Sequence, residues 1–497
     1  MDKEGIKQQA SPSTLSAEAR QAYLANRLRG VRVTTDTSLP DQINRVARTR
    51  QLPVSIAQEI VFNYLKSHEG AEYVPVSRCF RLTGKLNSQA LEKSINEVVR
   101  RHEILRTRFL LEPTPVQIID PFQPFAVPMI SLEEFPESER LERAINILIE
   151  KQSYWYDPAT EPLWRVLLVR LSQDDHLLFI TLDHTIVDAW AMELLLRDLR
   201  IVFGSFLLGR PSPLRDPPIQ FADFAFWQRE LLQGEKLAEL TAFWQRQLRE
   251  TGLWPELHLP FEKIRNSPSA MAPTTVERVE LPEALVVTLK NFALRHKVTL
   301  FMVMLTALVS LLHRYTQKKE ISITSTVANR HRPETQEIVG WLSDQLVFLF
   351  ERADLNNFSE LLQHVRNVVL DGSEHQDLPY SKFPGYNEDW WAKATYPSIR
   401  FNMKAHADEE STFGSQPKGR TNSSDLAVIP MMIPQLETEN YIKPGLMIEV
   451  DQRGTSLTIE TSYESARYSS TDIAQFLQEF RSIIEEGVGF RGQEPAS

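Results

Sequence analysis

The chain has 497 residues, of which 42% are hydrophobic and 24% charged, so it can bury a large core and is neither disordered nor fibrous. Its 55 lysines and arginines against 65 aspartates and glutamates give a formal net charge of −10. The acidic and basic residues are interspersed along the chain, which argues against a nucleic-acid binder, because such a protein would show a basic stripe. The single cysteine, Cys79, excludes an internal disulfide and multi-cysteine metal sites and indicates a reducing compartment. We expect Cys79 to be a small strand residue rather than a nucleophile.

Residues 1–50 are rich in Ser, Thr, Gln and Arg and are predicted to be an extension, with one helix over residues 17–29 in an otherwise disordered tail. The start of the chain lacks the apolar core of a secretory signal. The longest apolar stretch, residues 298–312, is interrupted by Thr and Ser and is too short to span a membrane. These features predict a cytoplasmic protein that does not contact membranes.

In the first half, Ser88 precedes apolar residues at helical spacing and is predicted to cap an amphipathic helix. Residues 163–181 contain two apolar runs separated by SQDD, the pattern of two buried strands joined by a tight turn. A helix follows, so residues 183–189 lie where a core strand becomes a helix. Such a junction can hold reactive side chains on a rigid support while they face a cavity.

The second half repeats this plan, with a strand predicted at residues 275–281, an apolar helix around residues 300–308 and a strand at residues 321–329. Residues 405–443 are predicted to form a long excursion that crosses between lobes. A hairpin around the turn DQRGT and a final helix then close the fold.

Length alone allows about three domains, but the chain has only 18 glycines and no flexible linker. A Pro-rich stretch, residues 209–221, is the predicted boundary between two packed lobes. We therefore predict an extension (1–50), an N-terminal lobe (51–220) and a C-terminal lobe (221–497). Their similar construction suggests a pseudo-dimer, although the residues themselves show no repeat.

His184 and Asp188 are the candidate chemical groups at the strand-to-helix junction. Histidine suits general-base work because its ordinary pKa is near about 6.5. Asp188 is expected either to cap the following helix or to pair with a distant arginine that fixes the turn. Taken alone, an HxxxD pattern is more often a capped helix beside an ordinary core histidine.

Several further segments favour a chemical role for His184 over that ordinary reading. Together, and in the order in which they occur, they resemble the condensation domains of nonribosomal peptide synthetases. They are SIAQEIVF (55–62), RHEILRTRF (101–109), PLWRVLLVRL (162–171), DHTIVDAW (183–190), FADFAFWQRE (221–230), LLHRYT (311–316), STVANRHRPE (325–334) and VGWLSDQLVF (339–348). The resemblance extends from about residue 53 to the end of the chain.

The resemblance implies an α/β (α+β) fold of two lobes, each like chloramphenicol acetyltransferase, in a V-shaped pair with a central tunnel. The family motif HHxxxDG places its second His at His184 and its Asp at Asp188. By this resemblance His184 deprotonates or positions the attacking amine or hydroxyl, and Asp188 is structural. Arg330 is the implied partner of Asp188, with Arg332 the second candidate.

The sequence departs from that motif at two positions, where Asp183 replaces the first His and Ala189 replaces the Gly. A carboxylate beside His184 is expected to raise its pKa and so to favour the protonated imidazole. An alanine is expected to disfavour a positive φ and to add a methyl group near the substrate. Both changes bear on the standard substrate and on catalysis.

The candidates for lining the tunnel are Trp190, Asp344 and Asn402. Asp344 and Leu342 stand where the family more often has Asn and Phe, and Asp344 is expected either to line the tunnel or to cap a turn. Trp190 is expected to pack in the core of its helix rather than to stack on substrate. Asn402 and His406 follow a predicted strand and are expected either to support the site or to be structural. Trp390 with Trp391 is either a surface contact or part of a lobe seam.

No carrier module, G-x-S-x-G elbow, phosphate loop or H-E-x-x-H metal site is found in the sequence. We therefore expect a free-standing acyltransferase without a bound metal or cofactor. Its implied donor is an acyl or aminoacyl thioester on the phosphopantetheine of an acyl or peptidyl carrier protein, and its acceptor a small or carrier-bound amine or alcohol. The alternatives are an acyl-coenzyme A donor, or a non-catalytic module that recruits a partner to a carrier protein.

Overall fold

The computed structural model describes residues 42–48, 51–67, 75–152, 157–248, 254, 257–263, 274–351, 357–383, 398–405, 426–433, 436 and 445–490. The predicted helix at residues 17–29 and the candidates Trp390, Trp391 and His406 lie outside these residues.

The described part is a mixed α/β fold, as predicted. Its α-helices are α1 (Ile56–Ser67), α2 (Ser88–Arg101), α3 (Glu137–Gln152), α4 (Ala189–Leu207), α5 (Phe221–Leu231), α6 (Gly234–Leu248), α7 (Glu283–Arg295), α8 (Leu300–Thr316), α9 (Phe358–Glu374) and α10 (Ser470–Val488). Its strands are β1 (Leu52–Pro53), β2 (Pro75–Thr83), β3 (Thr107–Leu110), β4 (Val116–Ile119), β5 (Met129–Ser131), β6 (Trp164–Ser172), β7 (Asp175–Asp183), β8 (Thr274–Leu281), β9 (Glu320–Val327), β10 (Asp344–Glu351), β11 (Ile399–Ala405), β12 (Ala427–Pro430), β13 (Leu446–Arg453) and β14 (Ser456–Glu464).

The N-terminal sheet has the order β12-β2-β7-β6-β5, and the predicted hairpin of β6 and β7 lies near its centre. Side chains of β7 alternate between two cores, since Leu178 and Leu182 pack with α2 and α4 while Leu177 and Phe179 pack with α3. Both faces of β7 are therefore buried, which explains its continuous apolar run.

The C-terminal sheet has the order β10-β9-β11-β13-β14-β8, and α7 to α10 pack in the same hydrophobic core as these strands. The predicted strand at residues 275–281 is β8, and the predicted hairpin is β13 with β14. A separate three-stranded sheet pairs β4 with β1 and β3.

The two halves share a local plan that supports the pseudo-dimer. Each has an antiparallel hairpin, β6 and β7 or β13 and β14, that leads through a short turn into a long helix. Asp188 follows the end of β7 at the same spacing as Ser469 follows the end of β14. Each caps its helix by accepting a hydrogen bond from the third helical residue. At this junction the two halves therefore share a backbone plan while their side chains differ.

Two parts of the chain cross the predicted boundaries. Within the excursion, β12 joins the N-terminal sheet, where Ala427 pairs with Thr83 in β2. Helix α5 buries Phe221 and Phe224 in the N-terminal core, whereas Trp244 of α6 belongs to the C-terminal core. The boundary predicted after residue 220 therefore cuts α5 from the core it belongs to, because the Pro-rich stretch precedes a helix that still packs backwards.

The last residues of the predicted extension are also tied to this lobe. Ile43 is buried, and Arg48 donates hydrogen bonds to Asp223 at 2.7 Å and to Glu103 at 2.7 Å. The expectation of a disordered tail is therefore wrong for residues 42–48. The predicted cap is also wrong by one residue: Asn87, not Ser88, accepts the N–H of Ala90 at 3.0 Å.

No single described helix is both long and apolar enough to cross a membrane. The pair α7 and α8 passes the same test together but is bent by 103° at its break.

Candidate active site

The predicted strand-to-helix junction is built on the most enclosed strand of the N-terminal sheet. Strand β7 ends at Asp183, and α4 begins at Ala189. We call residues 184–188 the His184 turn. Asp188 ends this turn as the cap of α4 and accepts the N–H of Ala191 at 2.8 Å. Because β7 is held between β2 and β6, the turn has a rigid support on its N-terminal side.

His184 is half-buried in this turn and contacts Trp341, whose ring lies edge-on with centroids 5.2 Å apart. Burial lowers the pKa of His184, and the smaller opposing effects come from its own backbone and from Asp188. The expectation that Asp183 raises this pKa is therefore wrong. An imidazole with a lowered pKa is neutral at pH 7 and has a free lone pair for a proton.

Asp183 is instead engaged with the turn itself. One of its carboxylate oxygens, Oδ1, accepts the backbone N–H of Thr185 at 2.8 Å and also the Thr185 hydroxyl. Both residues are buried. The residue that replaces the motif's first His therefore braces the backbone next to His184.

Asp188 performs both of the tasks that were predicted as alternatives. Besides capping α4, it accepts two hydrogen bonds from Arg330, at 2.8 and 3.0 Å. The side chains of Asp188 and Arg330 are 2% and 1% exposed, so this is a buried ion pair. Backbone N–H groups of Leu342 and Ser343 also donate to Asp188, at 3.0 and 2.9 Å. The carboxylate thus ties the His184 turn to residues 330–343.

Burial opposes the ionisation of Asp188, but Arg330 and the backbone donors outweigh it and hold the pKa of this carboxyl below its ordinary value. Arg330 also donates to the carbonyls of Ile338 and Gly340. Gly340 has to lack a side chain, because a Cβ there would lie 2.1 Å from the ring of Phe221. Arg332, the second candidate partner, lies elsewhere, with its guanidinium over Trp227 and 3.9 Å from Asp377.

The two residues after Asp188 behave differently from expectation. Ala189 is exposed and is the first residue of α4, so its backbone is helical and the expected conflict with a positive φ does not arise. Trp190 is 43% exposed, and its indole N–H donates to the Gln336 carbonyl at 3.0 Å. The prediction that Trp190 packs in the core is wrong, because it faces residues 330–343 across the surface instead.

The remaining candidates lie on the C-terminal sheet. Asp344 begins β10, and its Oδ1 accepts the N–H of Gln345 at 2.7 Å and that of Tyr380 at 3.4 Å, which favours the capping alternative. Burial raises the pKa of Asp344 to about 7. Asn402 lies in β11 and accepts the N–H of Thr326 in β9 at 2.9 Å, so it joins two strands.

Two contacts of the His184 turn are not predicted by the sequence. One is Trp341, which gave no signal beyond its place in a family-like segment. The other is Gln58 of α1, whose Nε2 donates to the Thr185 carbonyl at 2.8 Å. The spacing of Ser55 and Gln58 matches a helix capping box, so a local role was readable, but the long-range contact was not. Among the described residues no three His, Cys, Asp or Glu side chains are grouped in a way that could hold a metal ion.

Comparison with known proteins decides the family. The sequence matches the family model of the condensation domain over residues 48–488. The chain belongs to the condensation domain family. Condensation domains of this kind are found in nonribosomal peptide synthetases, such as the phosphinothricin tripeptide synthetase PhsC of Streptomyces viridochromogenes.

PhsC is 34% identical to this condensation domain over 335 residues, which are 67% of this chain and 30% of PhsC. The chain therefore spans less than a third of that synthetase. Among solved structures, the SgcC5 protein from Streptomyces globisporus is similar with a TM-score of 0.65 and 25% identity, over 88% of this chain and 98% of SgcC5. The X-domain from teicoplanin biosynthesis is similar with a TM-score of 0.71 and 20% identity, over 91% of this chain and 98% of the X-domain, which shows the shared fold.

Proposed function

We propose that this condensation domain is an acyltransferase that joins an acyl or aminoacyl thioester, held on the phosphopantetheine of a carrier protein, to an amine or alcohol. The observation that carries the proposal is the anchored turn that holds His184 against Trp341. His184 has a lowered pKa, and the Asp188–Arg330 pair anchors the turn that presents it.

The chemistry requires one bond to form and one to break. The amine nitrogen or hydroxyl oxygen attacks the thioester carbonyl, the new C–N or C–O bond forms, and the C–S bond breaks to release the pantetheine thiol. The proton lost by the nucleophile passes to the neutral ring of His184, and His184 then returns it to the leaving sulfur. General-base help of this kind contributes about 10²–10⁴-fold, and holding both substrates in position contributes several kcal/mol more.

A second candidate is a non-catalytic module that recruits a partner to a carrier protein. Two observations favour it: Asp183 occupies the place of the motif's first His, and the X-domain from teicoplanin biosynthesis, known in complex with OxyB, has the same fold. In this candidate the buried ion pair is structural and His184 has no proton to accept.

The deciding experiment is mass spectrometry of reactions that contain the protein, a panel of acyl-loaded carrier proteins, and mixed amines and alcohols. Parallel reactions replace the carriers with acyl-coenzyme A, which separates the two donor classes. His184→Ala should abolish the product. His176→Ala is the matched control, because His176 is a buried histidine at the opposite end of β7, and it should retain turnover. Carrier binding without product, unchanged in His184→Ala, would establish the recruiting module.

A further inference from the structure

The segment SIAQEIVF lies outside the strand-to-helix junction, yet its glutamine is among the most enclosed polar groups of the described residues. Gln58 is 0% exposed. Its Oε1 accepts the N–H of Ser55 at 3.0 Å, and the Ser55 hydroxyl accepts the N–H of Gln58 at 3.2 Å. This reciprocal arrangement is a capping box that fixes the first turn of α1.

A capping box uses only the oxygen of the glutamine side chain. Here the amide nitrogen is used as well, because Gln58 Nε2 donates to the carbonyl of Thr185 at 2.8 Å. The N–H and hydroxyl of Thr185 are already held by Asp183. Every polar group of Thr185 is therefore bonded, from the strand side by Asp183 and from α1 by Gln58.

The N–H of Thr185 belongs to the peptide that joins it to His184, and its carbonyl belongs to the next peptide, so the two bonds together restrain the backbone that carries the histidine. The bonds on both sides of it are buried, where a hydrogen bond is stronger than in water and an unpaired group is costly. The other end of the turn is anchored separately, by Asp188 and Arg330. Without Gln58, the Thr185 carbonyl would lose the bond that fixes it on the α1 side.

We infer that Gln58 is a positioning residue for His184, acting through the Thr185 carbonyl to keep the imidazole in line with the reacting thioester and nucleophile. Asp183, which stands in the place of the motif's first His, binds only the N–H and hydroxyl of Thr185. Gln58 therefore supplies the bond to the remaining polar group, the carbonyl. The inference rests on the proposed function for its effect on turnover, but not for its effect on the histidine ring.

Gln58→Met tests the inference, because methionine fills a similar volume but has no amide. The matched control is Gln228→Met. Gln228 is also a buried glutamine, and it accepts the N–H of Ile56 at 3.0 Å, so among the described residues it contacts α1 rather than the His184 turn. Both variants lose buried hydrogen bonds at the start of α1, and thermal unfolding measures that shared loss.

Two readouts separate the roles. In the condensation assay, Gln58→Met should lower kcat by roughly 10–100-fold, since a small misplacement of a catalytic group has an effect of that size, with KM for the carrier within about twofold. Gln228→Met should keep kcat within about twofold. Equal losses of kcat in the two variants, or an unchanged kcat in Gln58→Met, would overturn the inference.

The second readout needs no turnover. In a histidine-labelled protein, the ring carbon of His184 is assigned by its absence in His184→Ala and then titrated by NMR. Gln58→Met should move the midpoint of His184 towards the ordinary value because the loosened turn admits water, while Gln228→Met should not. A His184 titration identical to the native one in Gln58→Met would overturn the inference even if the protein proves inactive, whereas a shifted titration without any condensation product would refute only the proposed function.

Discussion

Replacing Arg330 by methionine should strongly destabilise the protein, because it leaves the Asp188 carboxylate buried without its counter-charge. Two charge-assisted hydrogen bonds are lost, at 2.8 and 3.0 Å. Removing one partner of a buried ion pair costs about 3–5 kcal/mol. Asp188 keeps its backbone donors from Ala191, Leu342 and Ser343, so we expect the lower end, about 3 kcal/mol of the free energy of unfolding.

The assay is equilibrium urea unfolding followed by tryptophan fluorescence and far-UV circular dichroism. Arg332→Met is the matched control, since the guanidinium of this neighbouring arginine is 3.9 Å from the Asp377 carboxylate rather than in a close ion pair, and it should cost less free energy of unfolding than Arg330→Met. The double variant of Arg330→Met with Asp188→Asn should lose less free energy of unfolding than the two single variants lose in sum, because it leaves no charge unpaired. Equal effects of the two arginine variants, or strict additivity in the double variant, would refute the reasoning.

Three further predictions follow from the pKa shifts. The acid limb of kcat/KM for condensation should lie below pH 6.5, because His184 stays neutral until the pH falls through its lowered pKa; a pH–rate profile with its limb at or above pH 6.5 contradicts this. Between about pH 4 and 7 the unfolded chain ionises Asp344 while the folded protein keeps it protonated, so stability falls as pH rises. Asp344→Asn should remove that part of the loss. Its urea midpoints at pH 5 and pH 8 should therefore differ by less than those of the native protein. Burial raises the pKa of Cys79 to about 12, so a thiol reagent should label the native protein far more slowly than the urea-unfolded one, and equal rates would show that Cys79 is accessible.

The elements that were predicted well are those whose pattern is local. The hairpin of β6 and β7, the turn at residues 183–189 and the following helix were all readable from apolar runs and turn residues. The partner of Asp188 came from the family resemblance, since nothing in the spacing of Arg330 points to a residue so distant in sequence. What failed depends on contacts between distant segments.

Trp190 illustrates this limit. Its helix is apolar on several sides, so the pattern could not show that position 190 faces residue 336 rather than the core. The pKa of His184 was mispredicted for a related reason: the charge of Asp183 was visible in the sequence, but the burial of the ring and the use of Asp183 by Thr185 were not. Gln58 was seen within its segment without any sign of what lies opposite.

The pairing of β12 with β2 has a consequence for biosynthesis. Residues 427–430 complete a sheet whose other strands end by residue 183. During translation, the first four strands of this sheet are therefore synthesised well before the fifth. At 5–20 residues per second this delay is on the order of tens of seconds. Throughout it, the backbone of β2 presents an open edge that can recruit strands of other nascent chains. Fragments that stop before residue 427 should share this hazard and aggregate on expression, so the two lobes are not separable building blocks for engineering.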